Sequence, residues 1–98
     1  MNLPQAMDAR VKKAVLGKID ETVSNIDEIS KIRHSLGHIP VGSQEDFAFG
    51  IAIGRIYNSF HYQTRRTLKR NATEGEFAEF LDVLSKRAGS IREALKQQ

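Results

Sequence analysis

Apolar residues recur every three or four positions along three stretches of this 98-residue chain, and this is the spacing that lines one face of an α-helix. No stretch alternates apolar and polar residues in the way that a half-buried β-strand does. The most regular stripe lies in the last stretch and consists of Phe77, Phe80, Leu81, Leu84, Ala88, Ile91 and Leu95. We therefore predict an all-α fold, a three-helix antiparallel bundle that forms a single domain over residues 1–98.

Local signals place these helices near residues 4–36, 43–70 and 73–97. Pro4 suits the first turn of the first helix, and Ser43 is a good N-cap for the second. Thr73 followed by Glu76 has the spacing of a capping box, which marks the start of the third helix. Gly17 is disfavoured inside a helix by about 1 kcal/mol relative to Ala, so we expect any bend or break of the long first helix to lie near it.

The first half of the middle helix, residues 47–54, is apolar at every angle around the helix axis. Such a helix must be covered on all sides, and two partner helices leave one side open. We therefore predict a homodimer or a higher symmetric oligomer. The predicted interface residues are Phe47, Ala48, Gly50, Ile51, Ala52 and Gly54. Close packing within one chain and a ligand lying on bare backbone are the alternative explanations of the two glycines.

The second half of the middle helix carries basic side chains and an aromatic ring in one polar stripe. The candidate binding residues are Arg55, Tyr62, Arg65, Arg66, Lys69 and Arg70. Such a stripe can bind nucleic acid, with cations on phosphates and Tyr62 stacked on a base, or dock an acidic protein. Alternatively, the cations complement the end of their own helix and the acidic start of the next one, where Glu74 and Glu76 lie.

The residue inventory favours binding over catalysis. The chain has no cysteine and a net charge of +3, and no nucleophile is placed beside a base. His34 and His38 have a metal-ligand spacing, but no acidic residue near them completes a ligand set, so we expect them to be solvated. Glu76 and Glu79 are likewise expected to be solvated charges rather than an acid and base pair. We therefore predict no metal and no cofactor.

These observations predict a non-catalytic helical interaction module, an accessory or assembly subunit that acts through a homo-oligomeric bundle. Nucleic-acid binding by the basic stripe is the alternative function. The N-terminus lacks a signal-peptide pattern, and the longest apolar run has eight residues, against the roughly 20 that span a membrane. We therefore expect a cytoplasmic protein with no membrane partner.

Overall fold

The computed structural model describes residues 6–98, and over this range the chain folds into four α-helices without a β-strand. The helices are α1 (Ala9–Ser24), α2 (Ile26–Ser35), α3 (Gln44–Leu68) and α4 (Glu74–Lys96). The all-α prediction is confirmed, but four helices take the place of the predicted three. The expected helix start at Pro4 lies outside the described residues.

The first predicted helix is divided at Asn25, and the break expected near Gly17 is wrong. Gly17 lies inside α1, and a β-carbon added there would meet no atom of the described chain within 4 Å. Asn25 leaves the helical conformation at φ −110° and ψ 31°. Its side-chain amide donates to the carbonyl of Glu21 at 3.1 Å. Because asparagine side chains compete for backbone hydrogen bonds, they favour helix ends over helix interiors.

The predicted helix caps are present. Ser43 accepts from the backbone N–H of Asp46 at 3.1 Å. The Thr73 hydroxyl accepts from the Glu76 N–H at 3.1 Å, and the Glu76 carboxylate accepts from the Thr73 N–H at 2.7 Å. This reciprocal pair confirms the capping box. Helix α3 ends at Leu68, two residues before the predicted end, because Lys69 adopts a left-handed conformation with φ 60°.

Long-range ion pairs define how the helices run. Glu21 of α1 pairs with Arg55 of α3, and Arg92 of α4 pairs with Asp46 of α3. The stacked rings of Phe60 and Phe80 give a second contact that places α3 antiparallel to α4. Lys18 of α1 lies beside Ser59 and Tyr62, which places α3 antiparallel to α1 as well. Helix α2 follows α1 after the break and packs on α3 and α4. The first half of α3 is therefore covered by helices on more than one side.

The core runs along the centre of this bundle. Its largest members, Phe60 and Phe80, are fully buried, with ring centroids 4.4 Å apart and planes 10° apart. The stripe predicted on the last helix is largely confirmed, since Phe80, Leu84, Ile91 and Leu95 are buried. Leu81 is the exception, because 46% of it is exposed.

The predicted interface needs a correction at two residues. Ala48 and Ala52 are completely buried in the core of a single chain, because the other helices of the same chain cover this side of α3. Ile51 is partly buried and packs against the same core, whereas Gly50 and Gly54 are exposed. None of the helices described here is long and apolar enough to cross a membrane.

Candidate functional site

Two rows of residues spaced by four run along opposite sides of α3. The buried row is Ala48, Ala52, Ile56, Phe60 and Thr64. The other row is offset from it by two residues, which is about 200° around a helix. All of its members are exposed, namely Gly50, Gly54, Asn58, Tyr62 and Arg66. This outer row turns by about 40° at each step around the helix axis, so the glycines of the predicted interface and the residues of the predicted basic stripe lie on neighbouring faces of one helix.

Two of the predicted binding residues are held by carboxylates of the same chain. Arg55 contacts Glu21 at 3.0 Å and Glu28 at 3.4 Å. Arg70 contacts both oxygens of Glu76 at 2.7 and 3.1 Å. Arg70 therefore complements the acidic start of the next helix. This agrees, for Arg70, with the alternative interpretation of the basic stripe.

The remaining cations of the stripe have no ion pair among the described residues. Arg65, Arg66 and Lys69 are exposed, and none of them makes an ion pair with any residue of the range 6–98. Because Arg55 lies beside the acidic side chain of Glu21 and Arg70 beside that of Glu76, the uncompensated positive charge of the stripe lies near the C-terminal end of α3.

A polar groove lies between α1 and α3. Its six lining residues are Lys18, Arg55, Asn58, Ser59, Tyr62 and Gln63. Each of these side chains can donate a hydrogen bond, and none is a carboxylate. Tyr62 is 57% exposed. The sequence did not predict Lys18 as a lining residue because it comes from another helix. Asn58 and Ser59 could have been predicted, because they lie one helical turn before Tyr62, and Gln63 follows Tyr62 directly.

A shallow hollow follows at the end of α3, lined by Arg65, Lys69, Arg70 and Asn71. The left-handed backbone at Lys69 turns the chain here, and Arg70 donates to the carbonyl oxygen of Asn71 at 3.0 Å. The structure therefore places Arg65, Lys69 and Arg70 in this hollow and Arg55 and Tyr62 in the polar groove.

An aromatic cluster borders the exposed glycines on the α4 side of α3. The ring centroid of Tyr57 lies 4.7 Å from that of His61 and 6.2 Å from that of Phe77. Tyr57 is 43% exposed, and Leu81 lies one turn from Phe77 on the same side of α4. A β-carbon added at Gly50 or Gly54 would meet no described atom within 4 Å. Packing within residues 6–98 therefore does not explain these two glycines.

The expectation that Glu76 and Glu79 are solvated is wrong, since they are only 4% and 6% exposed. Hydrogen bonds from Arg70 hold the pKa of Glu76 at about 2, and the Thr73 amide helps. Burial alone would raise the pKa of Glu79, but bonds from the amides of Met7 and Ala6 and from Lys12 lower it. Both carboxyls stay ionised, whereas a general acid needs a raised pKa.

No group of three or more potential metal ligands occurs among the residues that the structure describes. The sequence matches no protein-family model, and comparisons with curated proteins and with solved structures found no similar protein.

Proposed function

We propose that this protein is a non-catalytic interaction module, an accessory or assembly subunit that pairs with a second copy of itself through one face of α3. This glycine face consists of Gly50, Gly54, Tyr57 and His61 on α3, bordered by Leu81 on α4. Compared with the interface predicted from the sequence, this face still includes Gly50 and Gly54. It contains Tyr57 and His61 in place of the buried Ala48 and Ala52.

The observation that carries the proposal is the pair of bare glycines in the middle of a 25-residue helix. Each costs about 1 kcal/mol of helix stability relative to alanine, and neither makes room for a neighbour in the part of the chain that the structure describes. Glycines on a helix surface allow another helix to approach closely. A second copy is therefore the occupant that offsets their cost.

The second copy is favoured because α3 complements itself in an antiparallel pair. With a twofold axis between residues 55 and 56, Gly54 lies opposite Tyr57 of the second copy, and Gly50 lies opposite His61. Each large ring would then fill the space left by a glycine. A twofold interface repeats each such contact twice.

Charge complementarity holds in the same register. Asp46 lies opposite Arg65 of the second copy when Gly54 lies opposite Tyr57. The Asp46 side chain is 66% exposed although it also pairs with Arg92, and Arg65 has no ion pair among the described residues. The register that joins small residues to large ones therefore also joins an acid to a base.

The experiment is a mass measurement by light scattering on the wild-type chain and on Gly54→Gln. The wild-type protein should have twice the 11.0 kDa of a single chain. Glutamine is a good helix former and meets no clash in the described part of one chain. It would, however, fill the space beside residue 54 that Tyr57 of the second copy would occupy. We expect Gly54→Gln to be monomeric and its helix to be more stable by about 1 kcal/mol.

Gly17→Gln is the matched control, because Gly17 is also helical, exposed and without a described neighbour within 4 Å of an added β-carbon. It lies on α1, away from the glycine face, so this variant should gain helix stability and remain dimeric. A monomeric wild-type protein at high micromolar concentration contradicts the proposal, and so does a Gly54→Gln protein that keeps the dimer mass. A charge at Ala52 is no test of the interface, because it would disrupt the core.

A further inference from the structure

The polar groove and the unpaired cations beside it form a continuous surface that the glycine face does not use. It runs from Lys18 and Asn58 past Tyr62 to Arg66 and Lys69. We propose that this surface binds single-stranded nucleic acid, with a base stacked on Tyr62 and phosphates on Arg66 and Lys69. This proposal does not depend on dimer formation.

The positive charge of this surface is available to a ligand. Arg66 and Lys69 are exposed, and within residues 6–98 no carboxylate lies in ion-pair range of either. Arg65 is also unpaired and lies in the adjoining hollow with Lys69. Cations already held by carboxylates contribute little to phosphate binding, whereas unpaired ones gain from releasing the counterions of the phosphates.

Tyr62 supplies the contact that an acidic protein would not need. This residue is 57% exposed, although aromatic residues usually bury much of their surface. Arg66 lies one helical turn from Tyr62 and Lys69 lies two turns away, which is about 6 and 10 Å along the helix axis. A base stacked on the ring would therefore have its neighbouring phosphates within reach of both cations.

The rest of the groove suits unpaired bases. Asn58, Ser59 and Gln63 place amide and hydroxyl groups beside the ring of Tyr62, and these groups can bond the exposed edges of a single strand. In a duplex those edges are paired and the base faces are stacked, so an aromatic ring on a helix surface has no face to cover. We therefore expect single strands to be preferred.

One acidic side chain opposes binding at the edge of the groove. Glu21 contacts Lys18 at 3.3 Å and Arg55 at 3.0 Å, and 47% of its side chain is exposed. A phosphate that approaches Lys18 must compete with this carboxylate. We therefore expect Glu21→Gln to bind a single strand more tightly than the wild-type protein does, by about threefold.

The experiment measures fluorescence anisotropy of a labelled oligothymidine of about 12 nucleotides, a usual site size for single-strand binders. A hairpin duplex of similar charge is the second probe. Two cations on phosphates, Arg66 and Lys69, give a slope of about −1.4 for log K against log salt, so affinity should fall about sevenfold from about 50 to about 200 mM salt. The duplex should bind more weakly than the single strand.

Substitutions of exposed residues separate the phosphate contacts from the stacking of a base on Tyr62. Arg66→Ala combined with Lys69→Ala removes both phosphate contacts and should reduce the slope to near zero. Lys96→Ala is the control, since it also removes an exposed charge but at the opposite end of the bundle, and it should change little. Tyr62→Ala should weaken single-strand binding at least about fivefold, whereas Tyr62→Phe keeps the stacking ring and should retain it.

Three results would overturn the proposal. The first is no binding of either probe at low salt. The second is binding that falls as much with Lys96→Ala as with the double variant, which would indicate diffuse charge attraction. The third is competition by polyglutamate at equal charge concentration with no effect of Tyr62→Ala, which would point to an acidic protein as the partner.

Discussion

The guanidinium of Arg70 donates two hydrogen bonds to the carboxylate of Glu76, at 2.7 and 3.1 Å. The same carboxylate accepts from the Thr73 amide and so belongs to the N-terminal cap of α4. Arg70 follows the end of α3, so the pair fixes the short connection between α3 and α4. A bidentate pair of this kind holds its two groups in one relative orientation. The start of α4 is therefore anchored to the chain that leads into it.

The stability of the protein should depend on the charge of Glu76. Its pKa is lowered to about 2 from an ordinary value of 4.5, so the folded state favours the ionised carboxylate. This contribution is fully present above pH 4.5 and is lost as the pH falls towards 2. Glu76→Gln can still form the capping box, so it removes mainly the ion pair.

We expect Glu76→Gln to lower the free energy of unfolding by about 2 kcal/mol at neutral pH, a value reduced for the partial exposure of Arg70. The variant should approach the wild-type stability near pH 2. Glu74→Gln is the control, because Glu74 lies in the same helical turn and is exposed. Urea unfolding at a series of pH values measures both. Equal pH dependence of the wild-type protein and Glu76→Gln would contradict this assignment.

Glu79 should hold the segment before α1 in place. One of its oxygens accepts from the backbone amides of Ala6 and Met7, at 2.6 and 2.9 Å. Glu79→Ala leaves the buried Met7 amide without this acceptor, which should cost about 2 kcal/mol. Hydrogen exchange should show faster exchange of the Met7 amide. Asp82→Ala is the control, because it breaks only the surface pair with Lys86, and it should leave the Met7 amide protected. An unchanged exchange rate of the Met7 amide in Glu79→Ala would refute the anchoring role.

The helix ends of α3 and α4 could be predicted because their signals are local. Ser43 and Thr73 bond amides three residues away, and such contacts need no knowledge of the rest of the fold. The division at Asn25 was not predicted because the apolar stripe continues across it, with Val23 partly buried and Ile26 buried. Periodicity reports which face is apolar and says little about where a helix bends.

The surroundings of α3 depend on long-range packing and could be predicted only in part. An apolar run at every angle indicates that a helix is covered, but not whether its own chain or a second copy covers each side. Ala48 and Ala52 are covered by the same chain, whereas Gly50 and Gly54 are not. The burial of Glu79 escaped prediction for the same reason, because its partner amide at Met7 is 72 residues away.

Lys69 should be a site where a single glycine stabilises the protein. It is the non-glycine residue with positive φ in the described chain, and its left-handed conformation costs an L-residue about 1 kcal/mol. Lys69→Gly should raise the free energy of unfolding by about that amount, as glycine is the usual residue at such helix ends. Lys69→Ala loses the same charge but keeps the β-carbon, so it should gain nothing. Equal stability of the two variants in urea would be evidence against strain at this position.

The register of the proposed dimer can be tested by exchanging one acid and one base. Arg65→Asp would place two carboxylates opposite each other, and Asp46→Arg would place two guanidinium groups there. Because a twofold axis repeats the contact, each single variant should weaken dimerisation about tenfold. The double variant restores opposite charges in the same register, so its dimer dissociation constant should return to within about threefold of the wild-type value.

Arg66→Asp is the control for this exchange. Arg66 is as exposed as Arg65 but points about 100° away around the helix axis, off the glycine face. The Arg66→Asp variant should therefore dimerise nearly as well as the wild-type protein but bind single-stranded nucleic acid more weakly. Sedimentation equilibrium measures all four variants. If the effects of the two charge reversals on the free energy of dimerisation instead add in the double variant, residues 46 and 65 do not meet. A different register or a different face then joins the two copies.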